Sequence, residues 1–207
     1  MIVEKLEVGP IMANCFIAGC EKTKKCAIID PGDEDKRVLA AVAKYGLEVA
    51  VIINTHGHFD HVGANAPVKK ATGAPLMIHA LDEPWLSFVA ESASRWGLSG
   101  EDSPKPDRLI AHDDTIAVGN LIFTVIHTPG HTPGGVSLLC GNHLFVGDTL
   151  FRGSIGRTDL PKGDHDTLLA SIRDRLYVLP DEVMVYTGHG PETTIGREKR
   201  SNPFVQA

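Results

Sequence analysis

The sequence predicts an α/β fold with four layers, in which two β-sheets pack face to face and helices cover both outer faces. The chain runs twice from a series of strand-like segments into an amphipathic helix, and a sheet needs both of its faces covered. Its 207 residues are enough for one domain with a substantial core. We therefore predict a single domain over residues 1–207 with the architecture of a four-layer sandwich.

The first half of the chain alternates strands with helices. Runs of apolar and β-branched residues predict strands at residues 2–8, 15–18, 26–29, 49–53 and 75–78. Between residues 35 and 45 apolar side chains recur at helical spacing, with Asp33 as a candidate N-cap and Gly46 as a left-handed residue past the end. Further helical segments are predicted at residues 61–72 and around residues 81–89, and residues 90–111 are predicted to form a loop.

The second half is predicted to contain an antiparallel run of strands followed by a helix. Apolar alternation predicts strands at residues 115–118, 121–127, 136–140 and 143–146. The dipeptides Gly119-Asn120 and Gly141-Asn142 suit the two-residue turns of hairpins. An amphipathic helix then begins near residues 164–166, ends before Pro180 and leads into a strand at residues 183–186.

Composition and charge favour a small-molecule substrate. The chain carries 20 Lys and Arg against 26 Asp and Glu, a formal net charge of −6 that disfavours a nucleic-acid-binding surface. The N-terminus lacks the pattern of a secretory signal, and no segment approaches the roughly 20 apolar residues of a membrane span. We predict a cytoplasmic monomer or homodimer without nucleic-acid or membrane partners. Its four cysteines are predicted to be buried free thiols.

One segment carries an unusual density of metal-binding side chains. It reads Thr55-His56-Gly57-His58-Phe59-Asp60-His61 and follows a predicted strand. Residues two apart in an extended chain point the same way, so His56 and His58 can bind one ion. Asp60 and His61 lie where the loop becomes a helix, which turns their side chains toward a second position. Four ligand-type residues within six positions predict a site for two ions.

Three further ligands are predicted in glycine-containing turns that each follow a predicted strand. They are His131, Asp148 and His189. A carboxylate can bridge two cations, and we assign Asp148 to both metal positions. The other ligands then divide into His56, His58 and His131 for one ion and Asp60, His61 and His189 for the other. Imidazole and carboxylate ligands suit Zn²⁺, the metal that we predict, and also suit Fe and Mn.

The remaining five histidines are predicted to be ordinary surface or hydrogen-bonded core residues. They are His79, His112, His127, His143 and His165. The HxHxDH segment differs from a lone histidine, because burying so many polar side chains without a cation would be costly. The histidines of the HxHxDH segment are therefore predicted to bind metal, and the five others are not.

The ligand residues, in this order and at these separations, resemble the metallo-β-lactamase superfamily over essentially the whole chain. Residues 128–134 (TPGHTPG) and 147–151 (GDTLF) are similar to motif regions of the glyoxalase II group. This resemblance implies hydrolysis of S-lactoylglutathione or a related acyl thioester. Typical glyoxalase II enzymes add a C-terminal helical domain that helps to hold glutathione, whereas 18 residues follow His189. Residues 151–159 (FRGSIGRTD) resemble the short glyoxalase II-like hydrolases that lack this domain.

The predicted mechanism needs no serine or cysteine nucleophile. Two metal ions would lower the pKa of a shared water toward neutrality, and the resulting metal-bound hydroxide would attack the thioester carbonyl. Asp60 and Asp148 are the predicted catalytic residues, with Asp60 also orienting the hydroxide by hydrogen bonding. Asp30, at the end of a predicted strand, is a candidate to support a ligand imidazole from behind.

Arg157 is the predicted substrate-binding residue. In the glyoxalase II resemblance, a basic residue at the matching place helps to hold the glutathione moiety, and a guanidinium can bind a carboxylate through two hydrogen bonds. The alternative is a structural arginine that braces its loop by pairing with Asp159 or Asp164.

Other functions compete with thioester hydrolysis. A glutathione persulfide dioxygenase has a similar fold and motif but uses one iron bound by two His and one Asp. The complete ligand set disfavours a non-enzymatic metal-binding domain, and the acidic balance disfavours an RNA-processing nuclease. Zinc β-lactamases of the best-known type place cysteine where Asp148 stands, which disfavours antibiotic hydrolysis. The leading prediction is a metal-dependent thioester hydrolase acting on a small molecule, with glutathione as one candidate carrier.

Overall fold

Six strands from the first half of the chain form one mixed sheet in the computed structural model, which describes residues 1–206. The strands are β1 (Ile2–Val8), β2 (Ala13–Gly19), β3 (Lys25–Ile29), β4 (Glu48–Ile53), β5 (Leu76–His79) and β6 (Arg108–Ile110). They lie side by side in chain order, antiparallel from β1 to β3 and parallel from β3 to β6. Parallel neighbours need crossover connections, and helices supply them here.

A second six-stranded sheet comes from the second half of the chain. Its strands are β7 (Thr115–Val118), β8 (Leu121–His127), β9 (Val136–Cys140), β10 (His143–Gly147), β13 (Met184–Thr187) and β14 (Thr193–Thr194), in the order β14-β13-β10-β9-β8-β7. Strands β7 to β10 form an antiparallel meander, and β13 pairs with β10 in parallel. A separate small hairpin consists of β11 (Leu150–Phe151) and β12 (Ser154–Ile155).

Helices connect the strands. They are α1 (Asp35–Lys44), α2 (Phe59–Val62), α3 (Asn65–Thr72), α4 (Val89–Ser94), α5 (His165–Ser171) and α6 (Ile195–Ser201). A 3₁₀-helix covers Glu83–Phe88, and a turn of π-helix at Ile172–Leu176 extends α5. As predicted, α5 begins within residues 164–166: its first residue is His165, and the Asp164 carboxylate caps the helix by accepting a hydrogen bond from the Thr167 N–H at 2.8 Å.

Three separate apolar clusters show how the layers pack. One joins the outer face of the first sheet to α1 and α3, through residues such as Ile52, Val38 and Val68. The central one lies between the two sheets and includes Phe123 and Leu138. The third joins the second sheet to α5 and α6. Its members include Leu144, Val185, Leu168, Ile172 and Ile195. Three apolar layers between four layers of secondary structure confirm the predicted α/β four-layer sandwich.

The structure corrects the predicted start of α1. The N-cap residue is Glu34, which has a left-handed backbone (φ 52°) and no side-chain cap. The Asp33 carboxylate instead accepts a hydrogen bond from the adjacent Glu34 N–H at 2.6 Å, so it serves the preceding turn and not the helix. Gly46 adopts the left-handed conformation that was predicted for it, with φ 61°.

The single helix predicted at residues 61–72 is wrong, because this region forms two short helices, α2 and α3. Between them Gly63 packs closely against the turn that joins β3 to α1. A Cβ on Gly63 would lie 2.5 Å from the carbonyl oxygen of Gly32 in that turn. The Ala64 N–H donates to the carbonyl of Pro31 at 2.9 Å. This contact with the β3–α1 turn interrupts the helical hydrogen bonds and redirects the chain.

Several short elements were not predicted. The 90–111 loop contains part of α4 and the three-residue strand β6, while β11, β12, β14 and α6 received no prediction. Strand β6 is exposed at Arg108 and Leu109 and is held by pairing with β5, so it has no alternating pattern of its own. Segments of two or three residues are too short to carry a periodic signal.

The surroundings of the cysteines and the character of the helices can also be described. All four cysteines are buried and have free thiols, as predicted. Within residues 1–206, no helix combines the length and the apolar character that crossing a bilayer requires.

The central apolar layer leads to a stability prediction. Phe123 is fully buried between the sheets, whereas its neighbour Ile122 is 52% exposed. We expect Phe123→Ala to lower the free energy of unfolding by about 3–5 kcal/mol, because it removes a large buried side chain and leaves a cavity. Ile122→Ala is the matched control and should cost less than about 1 kcal/mol. Urea denaturation of the metal-free protein measures both, and equal losses would contradict this packing.

Candidate metal centre

The seven predicted ligands come together at one edge of the sandwich, between the two sheets. His56 follows the end of β4, and α2 presents Asp60 and His61. In the second sheet β8, β10 and β13 run in the same direction, so the turns after them meet at one edge. These turns carry the remaining predicted ligands, His131, Asp148 and His189. Strand ends from both sheets therefore supply the site, as is common for loops presented by a rigid scaffold.

The first of two donor groups is the one predicted for one ion. His56, His58 and His131 each place a ring nitrogen within 4.8 Å of the others. The closest pair is His131 Nε2 and His58 Nδ1, 2.9 Å apart. His56 and His131 are buried, and their ring centroids are 4.9 Å apart. Three imidazole nitrogens thus converge on a volume of the size that one ion occupies.

The second donor group is also the predicted one. Asp60, His61 and His189 place one ligand atom each within 4.8 Å of the others. The Nε2 atoms of His61 and His189 are 3.2 Å apart, and Asp60 Oδ2 lies 3.3 Å from His189 Nε2. His61 has no solvent exposure, whereas His189 is 27% exposed. The second group therefore combines a fully buried donor with a partly exposed one.

The Asp148 carboxylate lies between the two groups. Its Oδ2 atom is 3.6 Å from His131 Nε2 in the first group and 3.6 Å from His189 Nε2 in the second. Its Oδ1 atom is 3.5 Å from His61 Nε2. A carboxylate in this place contacts both groups, which is the arrangement that a bridging ligand requires.

Two buried polar atoms test whether these residues fit metal ions. His56 Nε2 and Asp148 Oδ1 are both buried and have no hydrogen-bond partner among the described residues. Buried polar atoms are almost always satisfied, so each orphaned atom needs an explanation. Both atoms point into the donor groups, and imidazole nitrogen and carboxylate oxygen are ordinary ligands of divalent transition metals. The His and Asp groups are thus suited to a dinuclear metal site.

The protonation of the donors is set by burial and by the carboxylates. Burial, with the neighbouring imidazoles, holds the pKa of His56 well below its ordinary value, and burial and His131 lower the pKa of His58 to about 3. Burial acts on His61 in the same direction, but Asp148 and Asp60 outweigh it and raise the pKa of His61 to about 10. Metal ligation requires neutral imidazole, so binding in the second group must release this proton.

Hydrogen bonds from behind orient the imidazoles. Asp30, predicted to support a ligand, has its Oδ2 atom 3.1 Å from His61 Nδ1. His131 Nδ1 lies 2.8 Å from the Arg157 carbonyl, and His189 Nδ1 lies 3.2 Å from the Met12 carbonyl. Carbonyl and carboxylate oxygens accept a hydrogen bond from Nδ1–H, which leaves the Nε2 lone pair directed into the site.

Asp30 is itself held firmly. It has a left-handed backbone with φ 53°, and its two carboxylate oxygens accept hydrogen bonds from the N–H and the hydroxyl of Thr55 at 2.7 and 2.6 Å. Because Thr55 precedes His56, this contact joins the end of β3 to the start of the ligand segment.

A cleft of about 890 Å³ opens onto the donor groups. One wall consists of the 3₁₀-helix, α4 and the turn after α4; Trp85 and Phe88 lie in the 3₁₀-helix and Trp96 lies in that turn. The opposite wall includes Phe151 and Arg157. Phe88 is 55% exposed and Trp96 is 58% exposed, which is unusual for aromatic side chains outside a binding surface. The cleft volume falls in the range of small-molecule sites.

The structure places Arg157 in the cleft wall and also gives it a partner. Its Nε and Nη2 atoms each donate to an oxygen of Asp159 at 2.7 Å, a two-bond pair on the surface of the loop. This is the contact expected of a bracing arginine, and the partner is Asp159, not Asp164. The guanidinium nevertheless remains 51% exposed and borders the cleft.

Asp82 and Trp85 also belong to the site, although the sequence did not predict them there. Asp82 is fully buried and accepts hydrogen bonds from the N–H groups of Gly57 and Gly134, which belong to two ligand loops. Trp85 packs beside His58 with ring centroids 5.0 Å apart. Asp82 begins a 3₁₀-helix in a segment with no chemical motif, and only its contacts across the fold reveal its place.

The fold and the paired donor groups define a class of metal-dependent enzymes with a site suited to two ions. The chain belongs to the metallo-beta-lactamase superfamily, whose family model matches residues 8–189. The predicted family and fold are thereby confirmed.

Similar proteins extend over the whole chain. The hydroxyacylglutathione hydrolase GloC of Haemophilus influenzae is 38% identical over 211 residues, which cover 100% of this chain and 99% of that protein. The BLEG-1 B3 metallo-beta-lactamase is 37% identical, with a TM-score of 0.93 and full coverage of both chains. TTHA1623, solved in a di-iron-bound form, is 42% identical with a TM-score of 0.89, covering 98% of this chain and 100% of that one. These similarities support a metal-dependent hydrolase.

One more solved structure is similar over most of this chain. ETHE1 from Myxococcus xanthus is 32% identical, with a TM-score of 0.81, and the match covers 98% of this chain and 84% of that one.

The position of Asp148 predicts an asymmetry between ligand variants. Asp148→Ala should reduce binding at both metal positions, because its carboxylate contacts both donor groups. His189→Ala should weaken mainly the second group. Metal content by elemental analysis after dialysis, with zinc as the probe, measures the difference. Retention of both ions and full turnover in Asp148→Ala would contradict the bridging assignment.

The five histidines outside the donor groups provide a second set of variants. The structure holds His79 and His127 in a ring stack and places His143 beside the Tyr186 hydroxyl, away from the predicted ligands. We expect each of His79, His112, His127, His143 and His165 to tolerate replacement by Gln without loss of bound metal. Loss of metal from any of these variants, measured in the same assay, would show that the ligand set is misassigned.

Proposed function

We propose that the chain is a single metal-dependent hydrolase domain over residues 1–207 that cleaves thioesters, converting an acyl thioester to an acid and a thiol. The observation that carries this proposal is the pair of three-donor groups joined by Asp148 and open to one cleft. Two adjacent cations at such a site stabilise both the attacking and the leaving atom of a hydrolysis. We further propose Zn²⁺ as the native metal, with Fe and Mn as alternatives.

The chemistry that bound ions supply is a water of lowered pKa and a positive charge for the carbonyl oxygen. The residues of this chain then orient the nucleophile. Asp60 lies at the cleft surface with one carboxylate oxygen 3.3 Å from His189 Nε2, and its pKa is lowered because His61 and His189 outweigh burial. Asp60 therefore stays ionised and can accept a hydrogen bond from the attacking water. The second proposed catalytic carboxylate is Asp148.

The cleft walls support a substrate with both apolar and charged parts. Trp85 offers an apolar surface beside His58 and Trp96 extends the aromatic lining, whereas Arg157 and Lys162 bring positive charge to the cleft. A thioester of an anionic thiol has this mixed character, because its carboxylate can meet a cation while the acyl group packs on an aromatic ring. Glutathione is the anionic thiol that we propose first, since GloC is named as a hydroxyacylglutathione hydrolase.

A persulfide dioxygenase is the second candidate function, and the similarity to ETHE1 supports it as the alternative. It needs one iron on two histidines and an aspartate, whereas seven donors converge in this site. The complete second group, Asp60, His61 and His189, would then have no ligand role. We therefore favour the hydrolase.

Metal content and activity together separate the two functions. Purified protein is loaded with zinc or with iron, its metal content is determined, and it is assayed with S-lactoylglutathione and with glutathione persulfide. About two ions per chain with hydrolysis of the thioester support the proposal. One iron per chain with oxygen consumption on the persulfide would replace it with the dioxygenase. Nitrocefin in the same assay tests the β-lactamase activity named for BLEG-1.

Arg157 yields a kinetic prediction. If its guanidinium binds the carboxylate of the substrate, Arg157→Ala should raise KM about tenfold for S-lactoylglutathione and spare a small uncharged thioester, because an ionic contact present in ground and transition states is lost. Asp159→Asn is the matched control, since it removes the partner of Arg157 but keeps the guanidinium.

A bracing role gives a different pattern in the same measurements. Arg157→Ala and Asp159→Asn would then lower the rate on both substrates alike and lower the melting temperature together. That outcome would remove Arg157 from the substrate site.

A further inference from the structure

Asp82 occupies an unusual position behind the metal centre. It lies between β5 and the 3₁₀-helix, has no solvent exposure, and forms no salt bridge with any residue in the described part of the chain. Burying a carboxylate without a cation is costly, and burial does raise the pKa of Asp82. Its two oxygens must therefore be used by specific donors. No part of the proposed mechanism assigns a role to it.

The donors come from two different ligand loops. Asp82 Oδ2 accepts a hydrogen bond from the Gly57 N–H at 2.9 Å, and Oδ1 accepts one from the Gly134 N–H at 2.6 Å. Gly57 lies between His56 and His58, and Gly134 lies three residues after His131. One carboxylate thus links the two segments that carry all three donors of the first group.

Both glycines allow an approach that other residues would prevent. A Cβ on Gly134 would lie 2.6 Å from Asp82 Oδ1, and a Cβ on Gly57 would lie 3.0 Å from the Asp82 carbonyl oxygen. The first distance is shorter than any real contact permits. The absence of a side chain at residue 134 is therefore a condition for the hydrogen bond to the carboxylate.

Asp82 is itself anchored in the fold. Its N–H donates to the carbonyl of His79 at 3.0 Å, and its carbonyl accepts from the Trp85 N–H at 3.1 Å. Trp85 in turn packs beside His58. The contacts of the residue connect the end of β5, one cleft wall and both loops of the first donor group.

The second donor group depends on a different carboxylate. Asp30 lies against His61 Nδ1 and binds Thr55. It makes no hydrogen bond to the loop of His131, and Asp82 makes none to Asp60, His61 or His189. Asp82 thus holds the two segments of the first group, whereas Asp30 contacts His61 directly and also binds Thr55, whose hydroxyl lies 3.0 Å from His56 Nδ1.

We propose that Asp82 is a positioning residue that holds the His58 and His131 loops together and so determines metal affinity at the first donor group independently of the second. This inference rests on the proposed ligand sets but not on the thioester substrate. Neutral or displaced Asp82 would leave the three imidazoles free to separate, while the second group keeps its own support.

The test measures zinc affinity at one position at a time. His189→Ala removes a ligand of the second group and leaves the first complete, and His58→Ala does the reverse. Asp82→Asn is then added to each background. The amide has a similar shape but can present only one oxygen, so one of the two glycine N–H groups would face an NH₂ group. Zinc affinity is determined by competition with a chromogenic chelator.

We expect Asp82→Asn to lower zinc affinity about ten- to hundredfold in the His189→Ala background, as for other residues that orient ligands from behind. In the His58→Ala background the change should be below about threefold. Asp30→Asn, unlike Asp82→Asn, should lower zinc affinity in the His58→Ala background, because Asp30 supports His61. A purely structural role for Asp82 would lower both affinities alike, and that result, or no change in either background, would overturn the proposal.

A second variant covers the case in which Asp82→Asn does not fold. Gly134→Ala keeps the carboxylate and its charge but places a methyl group where the hydrogen bond now forms. It should show the same selective loss of zinc affinity in the His189→Ala background. Asp107→Asn is the control for losing a carboxylate that binds a backbone N–H elsewhere, since Asp107 accepts from the Leu76 N–H at 2.7 Å. It should change neither affinity, and an equal effect of Asp107→Asn would also overturn the proposal.

Discussion

The mutual repulsion and desolvation of closely packed donors is the constraint on which this structure depends. Imidazole nitrogens of different histidines approach to 2.9 and 3.2 Å in a largely buried place, where each would otherwise be hydrated. Such an arrangement persists only if the surrounding fold holds every loop, because the donors themselves gain little from one another without a cation. The packing of two sheets supplies this rigidity, since strand ends on both sides of the central apolar layer determine where the loops begin.

Hydrogen bonds to the ring nitrogens that face away from the site determine which imidazole lone pairs point into it. Carbonyl or carboxylate oxygens lie beside the Nδ1 atoms of His61, His131 and His189, which directs their Nε2 atoms inward. The same loop can serve both the metal centre and the cleft. The carbonyl of Arg157 orients His131, while its guanidinium, paired with Asp159, borders the space where a substrate enters. The backbone and the side chain of Arg157 thus border different parts of the site.

The relation between site and function follows from the two donor groups. Their shared carboxylate and common cleft favour a reaction in which a nucleophile and a leaving atom both need stabilisation. The aromatic wall formed by the 3₁₀-helix and α4 lies beside the first group, and the accessible His189 belongs to the second. A substrate that spans the cleft therefore meets different surroundings at its two ends.

The sequence by itself determined the class of fold and predicted the candidate ligands, because both depend on local signals. Alternation and helical spacing are properties of contiguous residues, and the HxHxDH segment and the turns at His131, Asp148 and His189 place unusual residues next to strand ends. The tertiary structure alone decided the rest. The break between α2 and α3 arises from contact with Gly32, and β6 exists only through pairing with β5. Asp82 gives no signal along the chain, because its importance lies in reaching Gly57, 25 residues away, and Gly134, 52 residues away. Contacts over such separations are determined by how sheets and loops pack, and a linear pattern does not encode them residue by residue.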